Sequence, residues 1–181
     1  RVLVLCPTRE LALQTEEQAN LLRHTPSEFQ VVACVGGMPR FKQQMRLEKQ
    51  ADLVVGTPGR LLDFISSGVL KLDQVDTIIF DEVDTMLDMG FRADMNTIMD
   101  KVAEQLSENG REPSTVQFVM FSATIPPQIR EMVDSFMKED RLFVDMSGSV
   151  TKMLPKNITH YLVETDSDDQ RIRLAGDLLR Q

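Results

Sequence analysis

Two adjacent carboxylates, Asp81 and Glu82, end an apolar run that predicts a strand over Thr77–Asp81. A strand followed by charged residues would place both carboxylates at the carboxyl edge of a sheet, where α/β proteins bind ligands. One carboxylate can hold Mg²⁺ through its water shell, and its neighbour can orient an attacking water. Most strand ends of this kind are simply solvated, so the flanking motifs decide whether the pair has a chemical role.

Two hydroxyls, those of Ser122 and Thr124, end a second apolar run, 38 residues after Asp84. If the two strand ends are neighbours, the hydroxyls and the Asp84 carboxylate can form a hydrogen-bond network with two arrangements. A switch that couples ligand state to domain closure requires such an element. The alternative is that Thr124 caps the helix that Pro126 and Pro127 favour, and both roles can hold together.

Three further strand ends carry residues suited to phosphate. They are Pro7-Thr8-Arg9, Gly36-Gly37 and Thr57-Pro58-Gly59-Arg60. Helix N-termini offer free N–H groups to anions, glycines allow close backbone approach, and the nearby arginines Arg9, Arg40 and Arg60 add positive charge. Each motif alone more often only ends a strand and starts a helix. Together they predict a track that binds a single nucleic-acid strand. Because Phe41 is the one aromatic residue nearby, we expect recognition of phosphate and sugar with little sequence preference.

As a set, these motifs resemble those of the DEAD-box RNA helicases. Asp81-Glu82-Val83-Asp84 is similar to the magnesium and ATPase motif of that family, with Val83 where alanine is usual. The resemblance implies ATP and Mg²⁺ as cofactors, with Asp81 for the metal (through water), Glu82 for water activation, and Asp84 for contact with Ser122 and Thr124. It also implies RNA as the partner, single-stranded or a short duplex, contacted by Pro7, Thr8, Arg9, Gly36, Gly37, Thr57, Pro58, Gly59 and Arg60.

The chain alternates short apolar runs with helical patterns, which predicts a parallel α/β sheet with helices on both faces. The other predicted strands are Val2–Cys6, Gln30–Val35, Asp52–Gly56, Val116–Ser122 and Arg141–Val144. The resemblance implies a truncated RecA-like first helicase domain over residues 1–145. A break in both patterns predicts an interdomain linker over residues 146–156. Residues 157–181, with a strand at Ile158–Glu164 and a helix from Asp168, are expected to start a second RecA-like domain.

A phosphate loop of the form G-x-x-x-x-G-K-[ST] is absent, since none of the nine glycines precedes a lysine. The family places that loop upstream of Arg1 and its arginine-bearing motifs downstream of Gln181. Both ends of the chain look cut, so we expect a fragment that is inactive by itself.

Net charge is −8, but residues 1–60 carry eight Lys and Arg against six Asp and Glu, while residues 61–181 carry 12 against 22. The acidic surplus therefore lies away from the N-terminal motifs and does not exclude RNA. Cys6 and Cys34 are expected to be buried reduced thiols, and His24 and His160 ordinary surface or boundary residues. We expect an intracellular protein, cytoplasmic or nuclear with an organelle left open, monomeric, without a membrane span, and with protein cofactors left open.

Two alternatives belong to other classes of protein. One is a non-enzymatic RNA clamp or assembly scaffold, which would have no need of Asp81, Glu82 and Ser122. The other is a related motor that acts on DNA, which the joint occurrence of the motifs at Pro7, Thr57 and Asp81 disfavours.

Overall fold

Five parallel strands form one sheet in the order β2-β3-β1-β4-β5 in the computed structural model. The strands are β1 (Val2–Leu5), β2 (Val31–Cys34), β3 (Leu53–Gly56), β4 (Thr77–Phe80) and β5 (Gln117–Met120). All five were predicted, each one to three residues longer than observed. The structure describes residues 1–22, 25, 29–146, 159 and 161–180, in two units that span Arg1–Arg141 and Leu142–Gln181.

Among the described residues, six α-helices belong to the first unit and one to the second. They are α1 (Arg9–Leu21), α2 (Arg40–Leu47), α3 (Pro58–Ser66), α4 (Val83–Asp88), α5 (Arg92–Glu108), α6 (Pro127–Phe136) and α7 (Asp168–Leu178). Five apolar side chains of α5 recur at helical spacing and form its inner face, and all five are buried: Met95, Ile98, Met99, Val102 and Leu106. In α6 the buried residues are Ile129 and Met132.

Alternate residues of β1, β2, β3 and β4 face two separate apolar cores, one on each side of the sheet. The larger core joins Leu3, Leu5, Ile78 and Phe80 of the central strands to side chains of α2–α6. The smaller one packs residues of β1, β2 and β3 against α1, with Ala12 at its centre. The predicted parallel sheet with helices on both faces is therefore confirmed, and the carboxyl ends of its strands share one edge.

The two outer strands differ in how they are protected. On β2, the Glu16 carboxylate accepts the Ala33 N–H at 3.0 Å, and Arg46 donates to the Val31 carbonyl at 2.8 Å while pairing with Glu16. Side chains thus satisfy the backbone of this edge, which discourages the addition of another strand. On the opposite side, β5 has no further neighbour among the described strands.

Two predicted strands are absent from the described residues. Arg141–Val144 has no regular structure, and its apolar side chains are exposed, Leu142 by 89%. Residues 159 and 161–164 of the predicted strand Ile158–Glu164 are likewise irregular. The reason is the same for both, since an extended segment becomes a strand only when a neighbour pairs with its backbone.

Residues 147–156, most of the predicted linker, lie outside the described residues, as do His24 and His160.

The second unit contains the predicted helix α7. Ser167 caps it, accepting the Gln170 N–H at 3.3 Å, and the Gln170 side chain accepts the Asp166 N–H at 3.0 Å. The Ser167 half matches the capping box that the Ser167–Gln170 spacing suggests, but the Gln170 side chain bonds to the residue before the N-cap and not to the Ser167 N–H. No helix of the described residues has the length and apolarity needed to cross a membrane.

Both cysteines are free and buried, as predicted. Burial raises the pKa of the Cys6 thiol and of the Cys34 thiol to about 12. Both groups are therefore neutral thiols at neutral pH and unreactive in the folded state.

Candidate functional site

The carboxyl edge of the sheet gathers the predicted site residues of all five strands. Three adjacent strands precede the glycine and arginine motifs: β2 precedes Gly36-Gly37, β3 precedes Thr57–Arg60, and β1 precedes Pro7–Arg9. The other two strands precede the acidic and hydroxyl motifs: β4 precedes Asp81–Asp84, and β5 precedes Ser122–Thr124. The proposed phosphate-contacting residues thus occupy one half of the edge. The proposed catalytic residues occupy the other.

Asp84 and Thr124 are joined across neighbouring strand ends. The Asp84 Oδ2 atom accepts the Thr124 N–H at 2.9 Å and the Thr124 hydroxyl at 2.8 Å. The Ser122 hydroxyl donates to the Thr124 carbonyl at 2.5 Å, which braces the same loop. Thr124 does not cap α6, because the residue that precedes the helix is Pro126. Of the two interpretations of Thr124, the structure contains the contact with Asp84.

The Asp84 carboxylate is held in its charged form by this network. Partial burial opposes ionisation, but hydrogen bonds from Thr124, the Thr85 N–H and Ser122 outweigh that effect and lower the pKa of Asp84 below its ordinary value of 3.8. A carboxylate that accepts several hydrogen bonds is stabilised as the anion. The link between the two strand ends therefore persists at neutral pH.

Asp81 and Glu82 contrast with Asp84, because neither side chain makes a hydrogen bond or ion pair within the described residues. Their backbone is nevertheless well fixed. The Asp81 N–H donates to the Leu5 carbonyl at 2.9 Å, and the Val83 N–H to the Phe121 carbonyl at 3.1 Å. Two anchored, unpaired carboxylates at a strand end are available to a ligand.

Glu82 has a left-handed backbone conformation, with φ 51° and ψ 53°. For a residue with a β-carbon this conformation costs roughly 1–2 kcal/mol. It occurs at the turn that joins β4 to α4, and such strain concentrates at functional sites. The sharp turn lets Val83 begin α4 directly after the strand, so that Asp84 falls in the first turn of the helix.

The Pro7-Thr8-Arg9 segment joins β1 to α1. Pro7 is buried, and the Thr8 hydroxyl caps the helix by accepting the Leu11 N–H at 3.2 Å. The exposed Arg9 side chain packs over Gly37, where a β-carbon would collide with its guanidinium, and forms no ion pair with the described residues. Gly37 also has φ +72°, so its backbone conformation favours glycine, whereas the end of the flexible Arg9 side chain could move aside from a β-carbon.

The Thr57-Pro58-Gly59-Arg60 segment begins α3, with Pro58 at the first helical position, where its fixed φ suits a helix start. Thr57 is the N-cap residue, but its side chain makes no capping hydrogen bond. Arg60 contacts the Met38 carbonyl at 3.4 Å and the Asp63 carboxylate at 3.6 Å. It is therefore better anchored than Arg9.

Arg40 makes contacts that the sequence did not predict. Its guanidinium donates to Asp63 at 3.0 Å, to the Ser67 hydroxyl at 2.7 Å and to the Gln44 side chain at 3.0 Å, and it stacks over the Phe64 ring. These contacts join α2 to α3 and use one N–H on each of its three nitrogen atoms. The sequence showed an arginine after a strand end, but not that α3 supplies its partners.

Two glycines of the edge lie in open space. A β-carbon at Gly36 or at Gly59 would meet no atom within 4 Å, and neither residue has a positive φ. Neither packing nor backbone conformation therefore requires glycine at these positions. The space beside them is open to a ligand that approaches the backbone closely.

Gln43 is a residue of the site that sequence reasoning missed. Its amide bonds to both ends of the Val35–Met38 loop, which contains Gly36-Gly37. The one available signal was its position four residues before Leu47, on the face of α2 that is buried. A glutamine at such a position indicates that a polar backbone group lies opposite it.

Comparison with known proteins gives concordant matches. A family model described as DEAD/DEAH box helicase matches residues 1–132. Among curated proteins, the ATP-dependent RNA helicase dbp3 of Schizosaccharomyces pombe is 37% identical over all 181 residues, which cover 30% of dbp3. The chain thus spans less than a third of that relative's length.

Solved structures agree with the sequence comparison. The yeast DEAD-box splicing factor Prp28 superposes with a TM-score of 0.68 at 30% identity, over 76% of this chain and 30% of Prp28. A DEAD box protein from Methanococcus jannaschii gives 0.66 at 34% identity, over 77% and 35%. A hypothetical ATP-dependent RNA helicase from Sulfolobus tokodaii gives 0.64 at 37%, over 76% and 38%. The sheet is therefore of the RecA-like type expected from the sequence.

Proposed function

Because this chain belongs to the DEAD/DEAH box helicase family, we propose that the intact protein is an ATP-dependent RNA helicase. It binds the backbone of single-stranded RNA and separates short duplexes, coupled to hydrolysis of Mg-ATP. The observation that carries the proposal is the Asp84–Thr124 link beside two unpaired carboxylates, Asp81 and Glu82. The two carboxylates proposed for ATP hydrolysis therefore lie next to the hydrogen-bonded link that joins the ends of β4 and β5.

The donor set at β4 suits a magnesium ion that is bound together with a nucleotide. No group of three metal-binding side chains occurs among the described residues, and Mg²⁺ commonly uses one or two carboxylates, water and substrate phosphates rather than a protein cage. Asp81 would hold the ion through water. When bound, the ion would neutralise charge on the phosphates.

Glu82 is the proposed water-orienting residue, and the Asp84–Thr124 link the proposed coupling element. A carboxylate without a protein partner can accept a proton or a hydrogen bond from the attacking water. A loop tied to the strand end by hydrogen bonds transmits a change at Asp81 and Glu82 to the rest of the edge. We assign Ser122 to the support of that loop.

The RNA track uses the half of the edge that follows β1, β2 and β3. Open space at Gly36 and Gly59 admits a sugar-phosphate backbone, and Arg9 provides a charge that has no ion-pair partner among the described residues. Thr8 and Thr57 stand at the helix N-termini, where N–H groups and the helix dipole favour phosphate. Contacts of this kind carry little sequence information.

The phosphate loop is proposed to come from a part of the protein outside these 181 residues. β5 has no further neighbour among the described strands, and a strand added on that side would lie next to the catalytic half of the site. The cost of separating a few base pairs is within reach of one nucleotide cycle, since stacking contributes about 1.4 kcal/mol per step in DNA.

The test is steady-state ATP hydrolysis by the intact protein, with and without single-stranded RNA. We expect RNA to stimulate turnover, and Glu82→Gln to abolish turnover while ATP binding persists. Glu108→Gln, at the exposed end of α5, is the matched control and should behave as wild type. RNA binding without any turnover would reject the helicase proposal in favour of a non-enzymatic clamp.

A further inference from the structure

We infer that Gln43 is a positioning residue of the RNA site: it holds the Val35–Met38 loop in the form that aligns Arg9 and Arg60 with the RNA backbone. The inference rests on the proposed RNA-binding function. It adds to that function a residue that lies beneath the surface and need not touch RNA.

Gln43 is the one polar residue that is buried among the described residues, with 4% of its surface exposed. Its Oε1 atom accepts the Val35 N–H at 2.9 Å. Its Nε2 atom donates to the Val35 carbonyl at 3.0 Å and to the Met38 carbonyl at 3.3 Å. One amide therefore fixes the first and last residues of a four-residue loop.

The position of Val35 explains why a buried amide is needed. Val35 follows the outer strand β2 and is fully buried, so its N–H and C=O lack both a neighbouring strand and water. A buried backbone group without a partner destabilises the fold. The Gln43 amide supplies one donor and one acceptor, as a neighbouring strand would.

The loop that Gln43 fixes contacts both candidate arginines. Gly37, at its tip, lies beneath the Arg9 guanidinium and has no side chain that would displace it. The Met38 carbonyl accepts from Arg60 at 3.4 Å as well as from Gln43. A shift of this loop would therefore move the supports of Arg9 and Arg60 together.

The experiment compares Gln43→Leu with Gln44→Leu in the intact protein. Gln44 is the neighbouring residue of the same type, but its side chain bonds to Arg40 and Glu48 instead of the loop.

Affinity for a labelled oligouridine strand is measured over a range of salt concentrations. We expect Gln43→Leu to bind about tenfold more weakly, as when one charge-assisted hydrogen bond is removed. The salt slope should fall by about 0.7 for each RNA phosphate that the protein no longer neutralises. Gln44→Leu should match wild type in both.

A double-mutant cycle separates positioning from general destabilisation. If Gln43 acts through Arg60, the combination of Gln43→Leu with Arg60→Ala should weaken binding by less than the product of the separate effects. A purely structural role would give independent effects and an unchanged salt slope, which would overturn the inference.

A second variant keeps the test decisive if the leucine substitution prevents folding. Gln43→Asn keeps an uncharged amide in the buried position, but its side chain is one methylene shorter and cannot bond to Val35 and Met38 with the same geometry. It should remain folded, and it should lower affinity and slope in the same direction as the leucine substitution. Wild-type affinity and slope in a folded Gln43→Asn protein would refute the positioning role. Absence of RNA binding by the wild-type protein would instead refute the proposed function.

Discussion

Asp84 and Thr124, 40 residues apart in sequence, share two hydrogen bonds to a single carboxylate oxygen. The link joins the first turn of α4 to the loop after β5, and so spans the two neighbouring strands that carry the proposed catalytic residues. Because the Thr124 backbone and hydroxyl donate to the same atom, removal of the hydroxyl weakens the link without breaking it.

Thr124→Val should therefore uncouple hydrolysis from strand separation. We expect ATP turnover to stay within about threefold of wild type and duplex release to fall by roughly tenfold, since a hydrogen bond to a charged group contributes about 1.5–3 kcal/mol at most. The measurement is release of a labelled strand from a short RNA duplex, beside ATP hydrolysis. Thr97→Val, which removes an exposed hydroxyl on α5, is the control. Normal duplex release by Thr124→Val would reject the coupling role.

The same link should make stability depend on pH in a defined direction. The pKa of Asp84 is lowered on folding, so its contribution is complete at pH values above the ordinary 3.8 and is lost as pH falls through the lowered value. The difference in thermal midpoint between wild type and Asp84→Asn should be constant from pH 7 to about 5 and shrink below about 4. A difference that grows on acidification would contradict the assignment.

Glu82→Gly should raise stability while it removes activity. Glycine relieves the left-handed backbone at this turn, and the expected gain is about 1 kcal/mol or less because glycine also makes the unfolded chain more flexible. Such a gain corresponds to a rise of about 2 °C in the thermal midpoint. ATP turnover should disappear.

Gln50→Gly is the matched control for that experiment. Gln50 also has a positive φ, of 64°, but lies in the turn after α2 on the amino-terminal side of β3. It should show the same stabilisation with normal turnover. A decrease in stability in Glu82→Gly would mean that its side chain is needed for folding and not only for chemistry.

Gly59→Ala tests whether RNA approaches the backbone at α3. Alanine has open space there and is favoured in a helix by up to about 1 kcal/mol, so the fold should be unchanged or slightly more stable. RNA affinity should nevertheless fall, because the added methyl group occupies the space proposed for the sugar-phosphate backbone. Gly176→Ala in α7, which is equally open, should not alter RNA affinity. Unchanged affinity in Gly59→Ala would remove this glycine from the proposed track.

The sequence by itself determined the type and order of the elements that carry the site. Apolar runs that end in Asp81 or Ser122 suit buried parallel strands, and the helical spacing of Met95 to Leu106 fixes the inner face of α5. Local chemistry also sufficed for helix starts at Thr8, Pro58 and Ser167, since caps and prolines act within a few residues.

Tertiary structure decided which of these residues meet. Asp84 and Thr124 are 40 residues apart, Arg40 and Asp63 are 23 apart, and Gln43 bonds to Val35, eight residues before it. These contacts depend on strand order and helix packing, which no local pattern encodes. The same applies to Arg141–Val144, whose apolar residues suit a strand but have no neighbour to pair with in the described sheet. Backbone hydrogen bonds require a partner, and a partner is supplied by the arrangement of the chain in space.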